Sequence, residues 1–383
     1  VVADDVIYPC TSFLGLVCDY DPTGPDPVAD LFRPARLRVR ELNLGSNIAD
    51  APGLRGEIHE SIGRLTSLRQ FTVSPGQVGG VVPHSIGRLE NLEFLGISRN
   101  RLSGAIPPTL ASGLVSLRTL DLSFNNLIGS IPPDLLRLPS LQVLLLSHNR
   151  LIGPPFPVIA SDRISPFLSH IDLQSNRFSG SFPPAFSFPP SLSYLSLASN
   201  SIGGALPASL FSASAPPSSS SLYFIDLSYN NLSGPIPADP LLSLPLHSLL
   251  LHHNRFSGPL SPTSLVLIGT LDLSFNELSG HLSPLLSTVA NLYLGNNMFE
   301  GDVPQEFIDE LLAGGLSNLF LPHNLVTDFR LAPDTTLPDT ASLCIDFNCM
   351  ETPAQSHCPA ELYRSTGPAS PGNMNQCFNN RVP

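Results

Sequence analysis

The chain has 383 residues, 13% of them charged, with 40 prolines and a formal net charge of −12. The charged share is about half that of an average globular protein and the proline share about double. The acidic balance excludes a nucleic-acid backbone as the principal partner, because such binding is driven by Lys and Arg neutralising phosphates. No run of 18 apolar residues occurs, so no helix of this sequence is expected to span a bilayer.

Residues 1–36 hold Cys10 and Cys18 and precede any repetition, so they are expected to form an N-terminal cap. From Leu37 to about residue 330 a single unit recurs, clearest between Leu89 and Arg137, and reads L-x-x-L-x-L-x-x-N-x-L-x-G-x-I-P. Its asparagine column runs Asn47, Asn100, Asn125, Asn149, Asn176, Asn200, Asn230, Asn254, Asn276, Asn297 and Asn324, with Gly76 in the place between the first two. That gives about twelve repeats at the period of leucine-rich repeats. In L-x-L, as in Leu120-Asp121-Leu122, alternate side chains of a short strand point to opposite faces, so the leucines face inward and Asp121 outward. One such strand cannot bury its apolar side alone; stacked neighbours must share a core. The asparagine is expected to turn inward and bond backbone groups that the turning chain leaves unpaired. The glycine relaxes the turn, and Ile-Pro sets an extended segment after it. Repeat two departs from the pattern: Phe71 and Val73 fill its strand and Ser74-Pro75-Gly76 replaces the polar turn. An insertion is read at Ile48–Pro52 and a low-complexity loop at Ala213–Ser221, while Gln305–Leu312 has helical spacing.

The submotif L-S-G-x-I-P, as in Leu102-Ser103-Gly104-Ala105-Ile106-Pro107 and Leu232-Ser233-Gly234-Pro235-Ile236-Pro237, resembles the plant-specific class of leucine-rich repeats. Receptor-kinase ectodomains, receptor-like proteins and polygalacturonase-inhibiting proteins share that class. The resemblance covers roughly residues 37–330. It implies an α/β repeat solenoid: a right-handed superhelix of about twelve repeats, with a parallel sheet on the concave face and disulfide-closed caps. The segment around Cys10 and Cys18 resembles the end of the plant N-terminal cap, without its leading helix or tryptophan. Ser342-Leu343-Cys344 through Cys349-Met350, followed by Cys358-Pro359, is similar to the ends of small receptor-like plant leucine-rich-repeat proteins.

From Thr327 the pattern is read as ending, with residues 331–383 as the C-terminal cap. Cys344, Cys349, Cys358 and Cys377 all lie there. Even numbers of cysteines at both ends read as disulfides formed in an oxidising compartment. If each cap closes internally, Cys10 pairs with Cys18, and three connectivities remain for the other four. Asn231-Leu232-Ser233 is a glycosylation sequon just after a ladder asparagine.

The outward strand position supplies Leu250, Tyr293 and Phe320, and two residues further on His252. Counting two residues back from the first strand leucine gives Arg40, Arg69, Arg118, Tyr223 and His247, expected on the same face. The ligand-contact set is therefore Arg69, Arg118, Tyr223, His247, Leu250, His252, Tyr293 and Phe320, a cationic early third and an aromatic late third. Rings just before the ladder asparagines, such as Phe124, His148, Tyr229 and His253, read as packing elements. Asp121, Asp172, Asp226 and Asp272 read as turn hydrogen-bonders rather than a catalytic pair. His247, His252 and His253 are dispersed by strand alternation, so no metal set and no cofactor are expected, and no motif points to an enzyme.

The resemblance implies an extracellular protein-recognition module, in the apoplast or at the outer face of the plasma membrane. A peptide or protein would bind on the concave face, in signalling or defence, and a receptor-kinase ectodomain is a natural partner. The alternative is an inhibitor of microbial cell-wall hydrolases.

Overall fold

A computed structural model describes residues 15–20, 37–45, 54–156, 164–184, 187–210, 221–332 and 334–359. The chain folds as two compact units, one ending at Phe178 and the other beginning at Ser179, called here the first and second halves. Asn47, the insertion at Ile48–Pro52, Cys10, Cys377 and most of the low-complexity segment lie outside the described residues.

In the first half a parallel sheet runs through Leu37–Gly45, Gln70–Ser74, Phe94–Gly96, Thr119–Asp121, Val143–Leu145 and His170–Asp172. Its first edge is covered by the antiparallel strand Leu16–Tyr20, which carries Cys18 opposite Val39 and removes an open edge from the stack. In the second half the same arrangement runs through Tyr194–Ser196, Phe224–Asp226, Ser248–Leu250, Thr270–Asp272, Asn291–Tyr293, Asn318–Phe320 and Ser342–Cys344. Behind the strands sits the core. In one repeat Leu114, Leu117, Leu120, Leu122, Leu127, Ile131 and Leu135 are each no more than 1% exposed. In the irregular second repeat Phe71 and Val73 are buried where leucines stand elsewhere.

The asparagine ladder closes each turn. Asn149 is typical: its Oδ1 accepts from Leu127 N–H at 3.0 Å, and its Nδ2 donates to Leu122 O at 2.9 Å, both in the preceding repeat. The same Nδ2 reaches Leu146 O at 3.1 Å within its own turn. The ladder does not stop at Asn324. Asn348 accepts from Val326 N–H at 3.1 Å and donates to Leu321 O at 2.9 Å, and the strand Ser342–Cys344 pairs with Asn318–Phe320. The repeat pattern therefore continues beyond Thr327, where the sequence was read as leaving it. Leu343 and Ile345 fill the inward strand positions there, Cys344 takes the outward one opposite Phe320, and Phe347 takes the ring position held by Phe124 and Phe275 elsewhere.

Each turn holds the residue before the asparagine in the left-handed region: Arg99, Phe124, His148, Ser175, Ser199, Tyr229, His253, Phe275, Asn296, His323 and Phe347 have φ between 52° and 60°. The glycine four residues after each asparagine from Asn100 to Asn297 has positive φ as well, 76° at Gly104 and 79° at Gly129, where a Cβ would be strained. Between these two points, in the second half, a second parallel sheet forms through Ser201–Gly204, Asn231–Gly234, Arg255–Pro259, Glu277–His281, Met298–Asp302 and Leu325–Asp328. After the I-P proline, which is extended as expected, short helices such as Pro108–Gly113 and Pro133–Arg137 lead back to the next strand. The expected helix near Gln305 spans Gln305–Ala313, buries Phe307, Ile308 and Leu311, and ends on left-handed Gly314.

Cys344 and Cys358 are joined, which selects one of the three connectivities. Cys18 and Cys349 are also disulfide-bonded. Asp346 accepts from Ser356 Oγ at 2.6 Å and Leu343 O accepts from His357 N–H at 2.7 Å, so the segment carrying Cys358 lies along the last strand.

Replacing Asn149 by Ala strands Leu127 N–H in the interior and leaves Leu122 C=O with Asn125 Nδ2 at 3.1 Å. An unsatisfied buried group costs about 1–3 kcal/mol, so Asn149→Ala is expected to lose about 2 kcal/mol in a urea titration. Asn126→Ala, one column away and with no side-chain role in the ladder, should stay within about 0.5 kcal/mol of wild type.

Candidate functional site

Because the inward positions are committed to the core, chemistry is carried by the outward ones. The strand registers define which residues share that face. Thr119 pairs with Phe94 and Val143, and Asp121 with Gly96 and Leu145. The residue sharing a face with Asp121 is therefore Thr119, two back, and not Arg118, three back. This moves Arg69, Arg118, Tyr223 and His247 off the strand face and onto the entrance of each strand. There their carbonyls receive the next repeat, as Tyr223 O accepts from His247 N–H at 2.7 Å and Ser248 N–H at 3.2 Å. Leu250, His252, Tyr293 and Phe320 stay on the face as expected.

The entrance cations are not a free positive patch. Arg69 and Arg118 flank Glu93, at 3.3 and 3.7 Å, and Arg40 lies 3.3 Å from Asp19. These pairs are largely exposed and contribute little to stability, but they offset the charge that the sequence placed there. On the first half's face the Phe94 ring lies over Gly96, where an added Cβ would sit 2.7 Å from its Cε1, beside half-buried Val143 and Leu145.

The second half has the richer face. Its first row, Tyr194, Phe224, Ser248, Thr270, Asn291 and Asn318, was missed by the miscounted register. Tyr194 and Phe224 stack with ring centroids 4.6 Å apart and planes 4° from parallel, and exposed Tyr223 stands 6.4 Å from Tyr194. At the other end Tyr293 and Phe320 lie 5.1 Å apart. Asn318 Nδ2 donates to Asn291 Oδ1 at 2.6 Å, and Asn291 Nδ2 donates to Thr270 Oγ1 at 3.2 Å, so these amides are pre-oriented. Between the two aromatic ends lie Asp226, Leu250 and Asp272. Asp226 Oδ1 accepts from the N–H and Oγ of Ser228, and Asp272 Oδ1 does the same with Ser274. The aspartates are thus turn hydrogen-bonders, as their L-D-L-S setting implied. The second oxygen of Asp272 lies 3.2 Å from His252 Nδ1.

Models described as leucine rich repeat match residues 90–151, 167–188 and 221–241. No curated relative matches the chain. Its fold is similar to the plant peptide hormone receptor RGFR1, solved in complex with RGF2, at 27% identity and a TM-score of 0.70, over 81% of this chain and 48% of that one. It is also similar to the Arabidopsis receptor kinase HAESA, in complex with the peptide hormone IDA and the co-receptor SERK1. That match has 27% identity and a TM-score of 0.66, over 78% of this chain and 53% of that one. The chain carries leucine-rich repeats and folds like these plant receptor ectodomains. The chain spans about half the length of these two receptor chains. A plant ice-binding protein is similar as well, at 29% identity and a TM-score of 0.55, over 71% of this chain and 79% of that one. The leucine-rich-repeat scaffold thus serves more than one kind of recognition. Among the described residues no helix is long and apolar enough to cross a membrane.

The rings before the ladder asparagines pack as the repeat pattern suggested. Phe124 stacks on His148 at 4.1 Å, and His253 lies between Tyr229 and Phe275 at 4.2 and 4.1 Å. Burial lowers the pKa of His253, and His252 beside it lowers it further. Burial likewise lowers His170 and His323, partly opposed by Asp172 and Asp346 respectively. Tyr293 is raised by burial and by Asp272.

A histidine whose folded pKa is depressed binds its proton more readily in the unfolded chain. The stability it contributes is present above the unfolded value of 6.5 and is lost as pH falls toward the folded value. Glu60 and Asp239, lowered by hydrogen bonds from Ser85 and Thr263, add a second loss in the carboxylate range. The thermal midpoint is expected to fall between pH 7 and 5, and more steeply below the carboxylate model values. Scanning calorimetry across that range checks the sign; a midpoint that rises on acidification would contradict it.

Proposed function

We propose that the strand face of the second half binds an extended peptide, or an extended segment of a protein partner, in an extracellular signalling or defence setting. The observation that carries this reading is the pair of aromatic ends, Tyr194/Phe224 and Tyr293/Phe320, on one six-strand floor. Side chains facing outward here are not needed by the core, and rings in that place are natural anchors for a ligand. Six parallel strands at about 4.8 Å spacing put the two ends roughly 24 Å apart. An extended chain of about seven residues spans that distance. Between the ends, Leu250 offers an apolar contact and Asp226 and Asp272 offer negative charge, which suits a ligand that is apolar at its termini and cationic between them.

The similar receptors RGFR1 and HAESA are solved with peptide hormones, which supports a peptide as the ligand class here. Disulfide-bonded Cys18, Cys344, Cys349 and Cys358 fit an oxidising compartment, and hence the apoplast or the outer face of the plasma membrane. Asn231, the sequon residue, is exposed at the start of a second-sheet strand, so a glycan there would leave the first sheet's outer face open. A broad strand floor suits recognition better than catalysis, and a signalling role would use a receptor-kinase ectodomain as partner.

The test is capture from plant apoplastic and membrane extract on the purified, disulfide-intact protein, read by mass spectrometry. A small peptide or a receptor-kinase ectodomain is expected. Its recovery should drop at least about tenfold with Phe224→Ala and Tyr293→Ala combined, since each anchor ring contributes on the order of 1–2 kcal/mol. Arg118→Ala, at the strand entrance of the first half, should leave recovery unchanged. Capture that ignores the two ring substitutions would rule out the second-half face as the site.

A further inference from the structure

The column before the ladder asparagines differs between the halves in one informative place. In the first half it includes Arg99, Phe124 and His148. The Arg99 guanidinium carbon lies 4.3 Å from the Phe124 ring centroid, and Phe124 in turn stacks on His148. In the second half the column opens with Ser199, followed by the Tyr229, His253 and Phe275 stack. The backbone is the same at both starts. Arg99 and Ser199 have φ of 54° and 56°, and each N–H donates at 3.0 Å to the carbonyl of the equivalent serine in the next repeat, Ser123 or Ser228. What differs is the side chain. A serine is too short to cover the neighbouring ring, and Tyr229 is 52% exposed.

We propose that the Tyr229 face beside Ser199 is a subsite for a guanidinium of the bound segment, an arginine side chain taking the place on Tyr229 that Arg99 takes on Phe124. This rests on the reading of the second half's strand face as the ligand floor, and adds to it a preference for one residue type. The subsite is continuous with that floor. Tyr229 meets His252 edge-on at 5.2 Å, and His252 lies on the strand face against Asp272. The charge is complementary: Asp226 and Asp272 stand on the floor, and the chain as a whole carries −12. His253, behind Tyr229, is held toward its neutral form by burial, so no fixed like charge opposes a cation there at neutral pH. Arginine fits better than lysine because its planar group stacks on a ring face while keeping its edge donors free.

The experiment is a selection of phage-displayed random heptapeptides on the immobilised, disulfide-intact chain. Arginine is expected to be enriched at one position among peptides that depend on Phe224. A synthetic peptide of the selected sequence should lose about tenfold in affinity when that arginine becomes alanine. Ser199→Arg, which brings the chain's own guanidinium onto Tyr229, should weaken the arginine peptide by a similar factor and leave the alanine peptide unaffected. Tyr229→Phe should retain the preference, and Tyr229→Ala should lose it. Peptides that depend on Phe224 but show no arginine preference would overturn the subsite and leave the strand-face reading standing. So would an arginine peptide that binds Ser199→Arg as tightly as wild type. Selection of no peptide, or of peptides indifferent to Phe224→Ala, would overturn the strand-face reading and the subsite with it.

Discussion

The asparagine amide at the end of each strand is the constraint on which the rest of the structure depends. A chain that turns inward after three strand residues leaves backbone N–H and C=O groups pointing into an apolar interior, where an unpaired one costs about 1–3 kcal/mol. One carboxamide answers several at once. In Asn149 the oxygen takes an N–H of the preceding repeat, while the nitrogen serves a carbonyl of that repeat and one of its own turn. Only a side chain with both a donor and an acceptor at that reach can do this. To deliver it, the preceding residue adopts φ near +55°, a conformation most side chains avoid. The ladder therefore sets the turn, and the turn sets where the next side chain goes. That side chain lands beside its counterpart one repeat away, so Phe124 stacks on His148 and Tyr229 on His253 because the backbone has already placed them.

This dependence explains what was legible in the chain before its structure was known. Residues with no alternative could be read: the ladder asparagines from Asn100 to Asn324, the strand leucines, and glycines such as Gly104. The last rung was not, because Cys344 at its outward strand position set the segment with the cysteine-rich cap, although Leu343, Ile345 and Asn348 keep the repeat's spacing. The second sheet was hidden for another reason. Its strands are four or five residues long with one buried apolar residue each, such as Leu232 or Phe256, which gives almost no alternating signal. The candidate site suffered from parity. Counting back from an inward leucine instead of an outward residue selected Arg118 and Tyr223, and passed over Thr119 and Phe224. A period of two makes a one-residue error exchange one face for the other. The aromatic character of the late repeats survived that error only because Tyr223 and Phe224 are neighbours.

Outward positions carry information because the fold places so few demands on them. A leucine at 120 or 249 is dictated by packing, and its presence says nothing about function. At outward positions Ser, Thr and Asp are sufficient, and Asp121, Asp226 and Asp272 do local work by holding the following serine. Tyr194, Phe224, Tyr293 and Phe320 exceed what the turn or the core requires. Their mutual contacts recover part of the apolar surface, which gives a packing account of why the rings are tolerated there. It gives no account of why rings rather than small polar residues occupy the two ends of the same floor.

The same reasoning separates scaffold from site. Chains similar to this one include peptide hormone receptors and an ice-binding protein, so the core and the ladder are compatible with quite different partners. The differences must lie in residues that the ladder leaves free: the outward strand rows and the left-handed column at their edge. In this chain the two meet at His252 and Tyr229. A ligand held by the strand rows would pass the edge of the ring column there, and the first half supplies its own example of what such a column accepts. Arg99 on Phe124 is an intramolecular contact, made at no loss of translational freedom, whereas the equivalent ring in the second half has only a serine before it. Where one repeat fills a position with its own side chain and its counterpart leaves it open, the filled position describes the chemistry of the open one.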